Sequence, residues 1–312
     1  FRTTDGGATW TSTFASPTDP PEWYWDALIG WRVGSDSIQR TTDGGANWTA
    51  SQPGLIAIDG FQFVDPMHGW AWHAEDGSMR RTTDGGVTWS QADTGVSDLR
   101  SKAFADPLHG WVANPTDQAH RLKRTTDGGM TWHALAVPPP IPDASPYSIY
   151  SASDLELLPS GYGWLFDDFQ YYPDPSGPHR YLLLSTTDFG GTWMQATSDE
   201  FNVGSLIDEL NGWAISRDSF SFDSTCDSRA ARTTDGGATW RYVVDSGVAS
   251  CDFWEIGAID SEQAWIAGDR GTVYLVSDGG STLQIQRSDG MAGEFRFDRT
   301  AQGFSGSLRY RD

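Results

Sequence analysis

Lysine is almost missing from this chain of 312 residues: of its 21 basic residues only Lys102 and Lys123 are lysines. Forty-two acidic residues bring the net charge to −21. Without a basic stripe to follow a phosphate backbone, nucleic acid is excluded as a partner. An anionic membrane surface is disfavoured for the same reason. No apolar run approaches the ~20 residues of a spanning helix, and no helical periodicity of useful length occurs. Only two cysteines occur, Cys226 and Cys251, too few for a zinc site without other ligands nearby. No Asp-x-Asp-x-Asp-Gly run closes on a glutamate, which argues against a calcium loop. The expectation is therefore no metal, no cofactor and no membrane span. Neither a signal peptide nor an initiator methionine is present. Phe1 falls inside a repeat, so a processed or trimmed form is expected.

What is abundant is aromatic and repeated. Sixteen tryptophans and an aromatic share of 13% can build a large core. The run Arg-Thr-Thr-Asp-Gly-Gly-Ala-Thr-Trp at 2–10 returns at 40–48, 81–89, 124–132 and 232–240. Two worn copies stand at 185–193, where Phe189 slips in after the aspartate, and at 276–283, where Leu283 replaces the tryptophan. The seven aspartates are Asp5, Asp43, Asp84, Asp127, Asp188, Asp235 and Asp278, spaced by 38, 41, 43, 61, 47 and 43 residues. Such a period signals a repeat architecture.

A Gly-Trp signature alternates with the first: Gly30-Trp31, Gly69-Trp70, Gly110-Trp111, Gly163-Trp164, Gly212-Trp213, Ala264-Trp265 and Gly303-Phe304. In most copies an aspartate precedes the aromatic by five residues. Each unit reads as four short strands with frequent turn signals. In the third unit these are 99–105, 110–114, 121–126 and 131–136. This predicts an all-β fold, a single seven-bladed β-propeller of four-stranded antiparallel blades over 1–312. The last Gly-Phe lacks an Asp-Gly-Gly partner and the first Asp-Gly-Gly lacks a Gly-Trp. The ring is thus expected to close in a composite blade of 1–14 and about 293–312, which removes exposed sheet edges.

The aspartate suits an Asx-turn between the third and fourth strands. The second glycine suits a positive φ, and the tryptophan five residues on can plug the gap beside the turn. Seven like carboxylates are structural rather than catalytic. His68 and His109 occupy equivalent first turns and are expected to be turn residues.

This turn resembles the Asp-box, Ser/Thr-x-Asp-x-Gly-x-x-Trp, of sialidase-type propellers. The fuller pattern resembles the photosystem II stability/assembly factor family and its bacterial relatives, over essentially the whole chain. The resemblance implies an exported, non-enzymatic seven-bladed propeller that binds protein partners. An arginine patch contributes to binding in the photosynthetic members. Arg2, Arg40, Arg81, Arg124 and Arg232 hold the comparable position here, where the acidic chain offers carboxylates for them to pair with instead.

Function is sought where the repeat breaks. From turn Trp to the next Gly-Trp the usual 20–22 residues become 32 between Trp132 and Trp164, and 25 between Trp240 and Trp265. From Gly-Trp to the next aspartate the usual 12–16 become 24 between Trp164 and Asp188, and 22 between Trp213 and Asp235. All four insertions fall on the face away from the Asp-Gly-Gly turns. They carry Tyr147, Tyr150, Asp167, Asp168, Tyr171, Tyr172, His179, Arg180, Phe220 and Phe222. Aromatics among carboxylates suit a protein-binding patch, with carbohydrate as a further possibility. Packing of these loops over the ring is the competing explanation.

Cys226 and Cys251 sit in two of the insertions, on one face, which predicts a disulfide. Closing that loop contributes about 3 kcal/mol in the chain-entropy model and implies an extracytoplasmic compartment: periplasm, lumen or exterior. The leading expectation is an exported binding or assembly scaffold and not an enzyme. The alternatives are a glycoside hydrolase or sialidase, and a peripheral structural subunit of a larger membrane or surface complex. Against a glycosidase, glutamates number only eight and no carboxylate pair at the spacing of retaining hydrolysis is indicated. A thiol assay on the denatured, unreduced protein is expected to find no free thiol. Two reactive thiols would remove the disulfide and the compartment with it.

Overall fold

The computed structural model describes residues 22–34, 36–96, 99, 101–113, 122–135, 149–170, 180–196, 201–216, 229–245, 253–268, 273–277, 282–285, 293–300 and 303–310. Every regular element in them is a strand. The first unit is β1 (Glu22–Tyr24), β2 (Gly30–Val33), β3 (Ile38–Thr41) and β4 (Thr49–Ser51). The second is β5 (Gly60–Phe63), β6 (Gly69–His73), β7 (Ser78–Thr82) and β8 (Ser90–Gln91). The third is β9 (Lys102–Phe104), β10 (Gly110–Ala113), β11 (Leu122–Thr125) and β12 (His133–Ala134). The fourth is β13 (Ile149–Leu157), β14 (Gly163–Gln170), β15 (Arg180–Thr186) and β16 (Met194–Ala196). The fifth is β17 (Val203–Leu206), β18 (Gly212–Ile215), β19 (Arg229–Thr233) and β20 (Arg241–Asp245). The sixth is β21 (Phe253–Ala258), β22 (Gln263–Gly268), β23 (Val273–Ser277) and β24 (Thr282–Ile285). Each forms an antiparallel four-stranded sheet in sequence order. A hairpin of β25 (Gly293–Thr300) and β26 (Gly303–Tyr310) follows, with β25 beside β21 and β26 beside β1. In the third unit all four strands lie inside the expected ranges, trimmed at their ends.

The core lies between sheets, and the Gly-Trp tryptophans fill it. Trp31, Trp70, Trp111, Trp164 and Trp213 are completely buried. Trp31 stacks on Phe63 of the next sheet with ring centroids 3.9 Å apart, and Trp70 on Phe104 at 3.8 Å. The stack explains the glycine: a Cβ on Gly69 would fall 2.5 Å from a Phe63 ring carbon.

Each indole also reaches across to a turn of the next sheet. Trp31 Nε1 donates to the Gly85 carbonyl at 2.8 Å, Trp70 Nε1 to Gly128 at 2.9 Å and Trp111 Nε1 to Phe189 at 3.2 Å. Trp164 Nε1 donates to Gly236 at 3.3 Å. Trp213 Nε1 instead donates to the Asp260 carbonyl in the first turn of the sixth unit, at 3.1 Å. The turn that accepts is itself fixed within its own sheet: the Gly85 amide donates to the Met67 carbonyl and the Gly128 amide to Leu108, both at 2.8 Å. The first and third turns of a unit therefore share one end of its sheet. The second turn and the link to the next unit lie at the other end.

The worn turn at 185–193 needs a correction. Phe189 is no insertion. It stands where the other turns carry their first glycine and adopts the same left-handed backbone, φ 56° against 73° at Gly44 and 76° at Gly85. The bonds that Phe189 makes through its backbone and the stacking of its ring on His109, with centroids 4.3 Å apart, offset the unfavourable φ.

Trp70→Phe would keep the ring stack but withdraw the donor from a buried carbonyl. Urea unfolding is expected to show a loss of about 1–3 kcal/mol. Trp132→Phe, whose indole reaches Ala92 at 3.3 Å from a half-buried place, is expected to cost less.

Candidate functional site

The turn aspartates are saturated with hydrogen bonds from their own loops. Thr82 Oγ1 donates to Asp84 Oδ1 at 2.8 Å, the Thr88 amide donates to the same oxygen at 2.9 Å, and Thr88 Oγ1 donates to Oδ2 at 2.6 Å. Asp127 is held by Thr125 and Thr131 in the same way, Asp188 by Thr186 and Thr192, and Asp235 by Thr233 and Thr239. Asn47 takes the place of the second threonine at Asp43. Partial burial pulls the Asp84 and Asp127 carboxyls upward, but these bonds outweigh it and hold both at about 2, against an ordinary 3.8. At Asp43 the Asn47 side chain is the main cause of lowering, and at Asp235 the Thr239 side chain. A carboxylate so placed is held ionised and committed to the turn, which suits a structural role rather than proton transfer. Asp5 and Asp278 lie outside the described residues.

The first turns carry a second carboxylate of this type. Asp26, Asp65, Asp106, Asp208 and Asp260 each accept two amides of their own turn through Oδ1. His68 Nδ1 lies 2.8 Å from Asp65 and His109 Nδ1 2.8 Å from Asp106, as turn residues would. The strand arginines lean over the next unit. Arg81 Nη1 donates to the Asp127 carbonyl at 3.4 Å, and Arg124 Nη1 to Phe189 at 3.2 Å. A Cβ on Gly85 would meet Arg40 Nε at 3.0 Å. Arg40, Arg81 and Arg124 are thus half-buried struts between sheets. Arg81 and Arg124 bond to turn carbonyls. Arg2 lies outside the described residues.

The opposite end is where the fourth unit departs from its neighbours. Its first three strands run for nine, eight and seven residues, against three, four and four in the third unit. Four extra residues at a strand's rise carry its second strand roughly 13 Å beyond that of the third unit. Part of what spacing marked as loop is therefore strand. Tyr150 lies in β13, Asp167 and Asp168 in β14, and Arg180 in β15. Register brings them together: Tyr150 pairs with Phe169, which pairs with Arg180, and Ser151 pairs with Asp168, which pairs with Tyr181. Asp167 is fully buried and cannot belong to a surface patch as it stands. Tyr181 is a member of this row that loop reasoning passed over. Tyr147, Tyr171, Tyr172, His179, Phe220, Phe222, Cys226 and Cys251 lie outside the described residues. Among the described residues no group of three or more His, Cys, Asp or Glu side chains could hold a metal ion, and no helix is long and apolar enough to cross a membrane.

No protein-family model matches the sequence, and no curated protein sequence matches it either. Solved structures do match. A structure of YCF48 bound to D1 peptide superposes with a TM-score of 0.57 at 18% identity, over 95% of this chain and 92% of that one. YCF48 from Cyanidioschyzon merolae gives 0.59 at 15% identity, over 94% and 95%. The fold is a β-propeller like that of YCF48, a photosystem II assembly factor. The GH74 enzyme of Niastella koreensis gives 0.60 at 15% identity over 87% of this chain, which spans 47% of that enzyme. At such identities the likeness concerns fold alone.

Acid should find the turns first. A carboxyl held at about 2 and freed to 3.8 on unfolding stabilises the fold fully above pH 3.8 and loses that contribution as pH falls through 2. Asp127→Asn is expected to reduce stability at pH 7 and to flatten its dependence between pH 4 and pH 2, followed by urea midpoints. An unchanged slope would mean that the carboxylate's charge does not matter to the turn.

Proposed function

We propose that this chain is a non-enzymatic, protein-binding assembly propeller. It closes as seven blades, the last composed of 1–14 with about 293–312. It works outside the cytoplasm, with Cys226 and Cys251 joined, and uses the face opposite the Asp-Gly-Gly turns. The observation that carries the reading is the extended fourth sheet, whose long strands carry Tyr150, Asp168 and Arg180 in adjoining register rows. Strands hold contact residues more firmly than loops do, and aromatic residues and arginine are the types that anchor protein interfaces. Further support comes from the match to YCF48 over nearly the whole of both chains, with a D1 peptide bound in one of them.

Glycoside hydrolysis is the second reading, favoured by the GH74 likeness. It is weakened because the chain spans 47% of one such enzyme and 45% of another. The saturated turn carboxylates and the buried Asp167 supply no acid–base pair.

Two measurements separate these readings. Native co-purification is expected to recover a stoichiometric protein partner, lost when Tyr150, Asp168 and Arg180 are replaced together by alanine. Interface residues of this kind typically lose on the order of tenfold or more in affinity each. Release of reducing sugar from xyloglucan by the purified protein, with no partner recovered, would replace the scaffold with an enzyme.

A further inference from the structure

The end that carries the Asp-Gly-Gly turns exposes a set of apolar side chains. Ten large apolar side chains are exposed among the described residues, and six occupy two equivalent turn positions at this end. Leu28, Met67, Leu108 and Leu210 stand two residues after the first-turn aspartate. Val87 and Met130 stand two residues after the first glycine of the third turn. Five of the six belong to the first three consecutive units. Within a unit the two turns are bonded, through Gly85 to Met67 and Gly128 to Leu108. Between units they are tied through Trp31 to Gly85 and Trp70 to Gly128. The apolar tips therefore run as one arc over three joined sheets.

The turn does not require them. In the sixth unit the same position is an exposed Glu262, in a turn with the same geometry: Asp260 Oδ1 accepts the Glu262 amide at 2.7 Å, as Asp65 accepts the Met67 amide at 2.7 Å. Exposed apolar side chains grouped in this way mark an interaction surface. Charge decides the occupant. The three units set Asp26, Asp43, Asp65, Asp84, Asp106 and Asp127 around the arc, against three half-buried arginines and the two turn histidines. Asp43, Asp84, Asp106 and Asp127 all have lowered pKa values and stay ionised at neutral pH. A second copy of a chain with net charge −21 is repelled, and so is an anionic bilayer.

We propose that this arc binds an amphipathic, basic segment of a partner protein, its apolar side on the turn tips and its cations over the turn carboxylates. The proposal is independent of the loop-rich face and survives if that face proves silent.

A labelled amphipathic Leu/Lys peptide serves as the probe, with its Leu/Glu counterpart as control, in fluorescence anisotropy at low and high salt. The decisive variant is Met67→Glu with Leu108→Glu, a residue the fold already accepts at Glu262. It adds negative charge, so simple ion attraction would tighten binding. Apolar docking predicts a loss of about tenfold or more, weakening of wild-type binding by salt, and no binding of the Leu/Glu peptide. The control Ile56→Glu, away from these turns, is expected to leave affinity unchanged. Equal or tighter binding by the double variant overturns the proposal. So does binding of the wild type to phosphatidylcholine vesicles, or dimerisation in light scattering, if the double variant abolishes it. Should that variant unfold, Met130→Ser at its solvent-facing tip gives the same reading.

Discussion

One hydrogen bond repeats around this molecule and most of the structure depends on it. A buried indole N–H in the second strand of one sheet donates to a carbonyl in a turn of the next, as Trp31 does to Gly85 and Trp70 to Gly128. An indole placed in a dry core must find an acceptor, and a carbonyl beside it must find a donor. Each demand is met only if the two sheets stand at one separation and one angle. The other recurring residues serve this geometry. Glycine before the tryptophan makes room for the stacked ring. The aspartate and its threonines shape the turn so that the carbonyl faces the indole. The arginine lies over the same turn from the preceding sheet. The two sequence signatures are thus halves of one joint, and each half belongs to a different unit.

A joint of this kind makes the frame stiff at one end and leaves the other end free to vary. Lengthening a strand away from the turns disturbs neither the indole nor its acceptor. The fourth unit shows this: β13 to β15 grow outward while Trp164 keeps its bond to Gly236. At the turn end one turn shape carries different solvent-facing residues, as at Met67, Leu108 and Glu262. Both ends can therefore carry recognition, the one through added strand and loop, the other through the residues chosen at fixed tips.

The repeat period, the four-strand units and the structural character of the turn aspartates were legible from residues alone, because each follows from local chemistry. Asp43 bonds to amides within four residues of itself, and Gly45 needs its left-handed backbone whatever lies around it. Phe189 was misjudged because a phenylalanine at such a φ is unfavourable locally and is held by contacts from elsewhere. The partner of each Gly-Trp tryptophan was not legible either: Trp111 bonds to a residue 78 positions away. Spacing likewise marked the fourth unit as irregular without saying whether the extra residues were loop or strand.

The sequence by itself determined an all-β chain of repeated four-stranded units, with tight aspartate turns and a strongly acidic net charge. These are consequences of short-range hydrogen bonding, of side-chain alternation and of summed charge. Tertiary structure alone decided which residues are inward and which are outward. It buried Asp167 while setting Asp168 in a row with Ser151 and Tyr181, turned the arginines into struts, and gathered Leu28, Met67 and Leu108 along one edge. Those outcomes depend on how sheets meet, and the meeting is made by residues tens of positions apart.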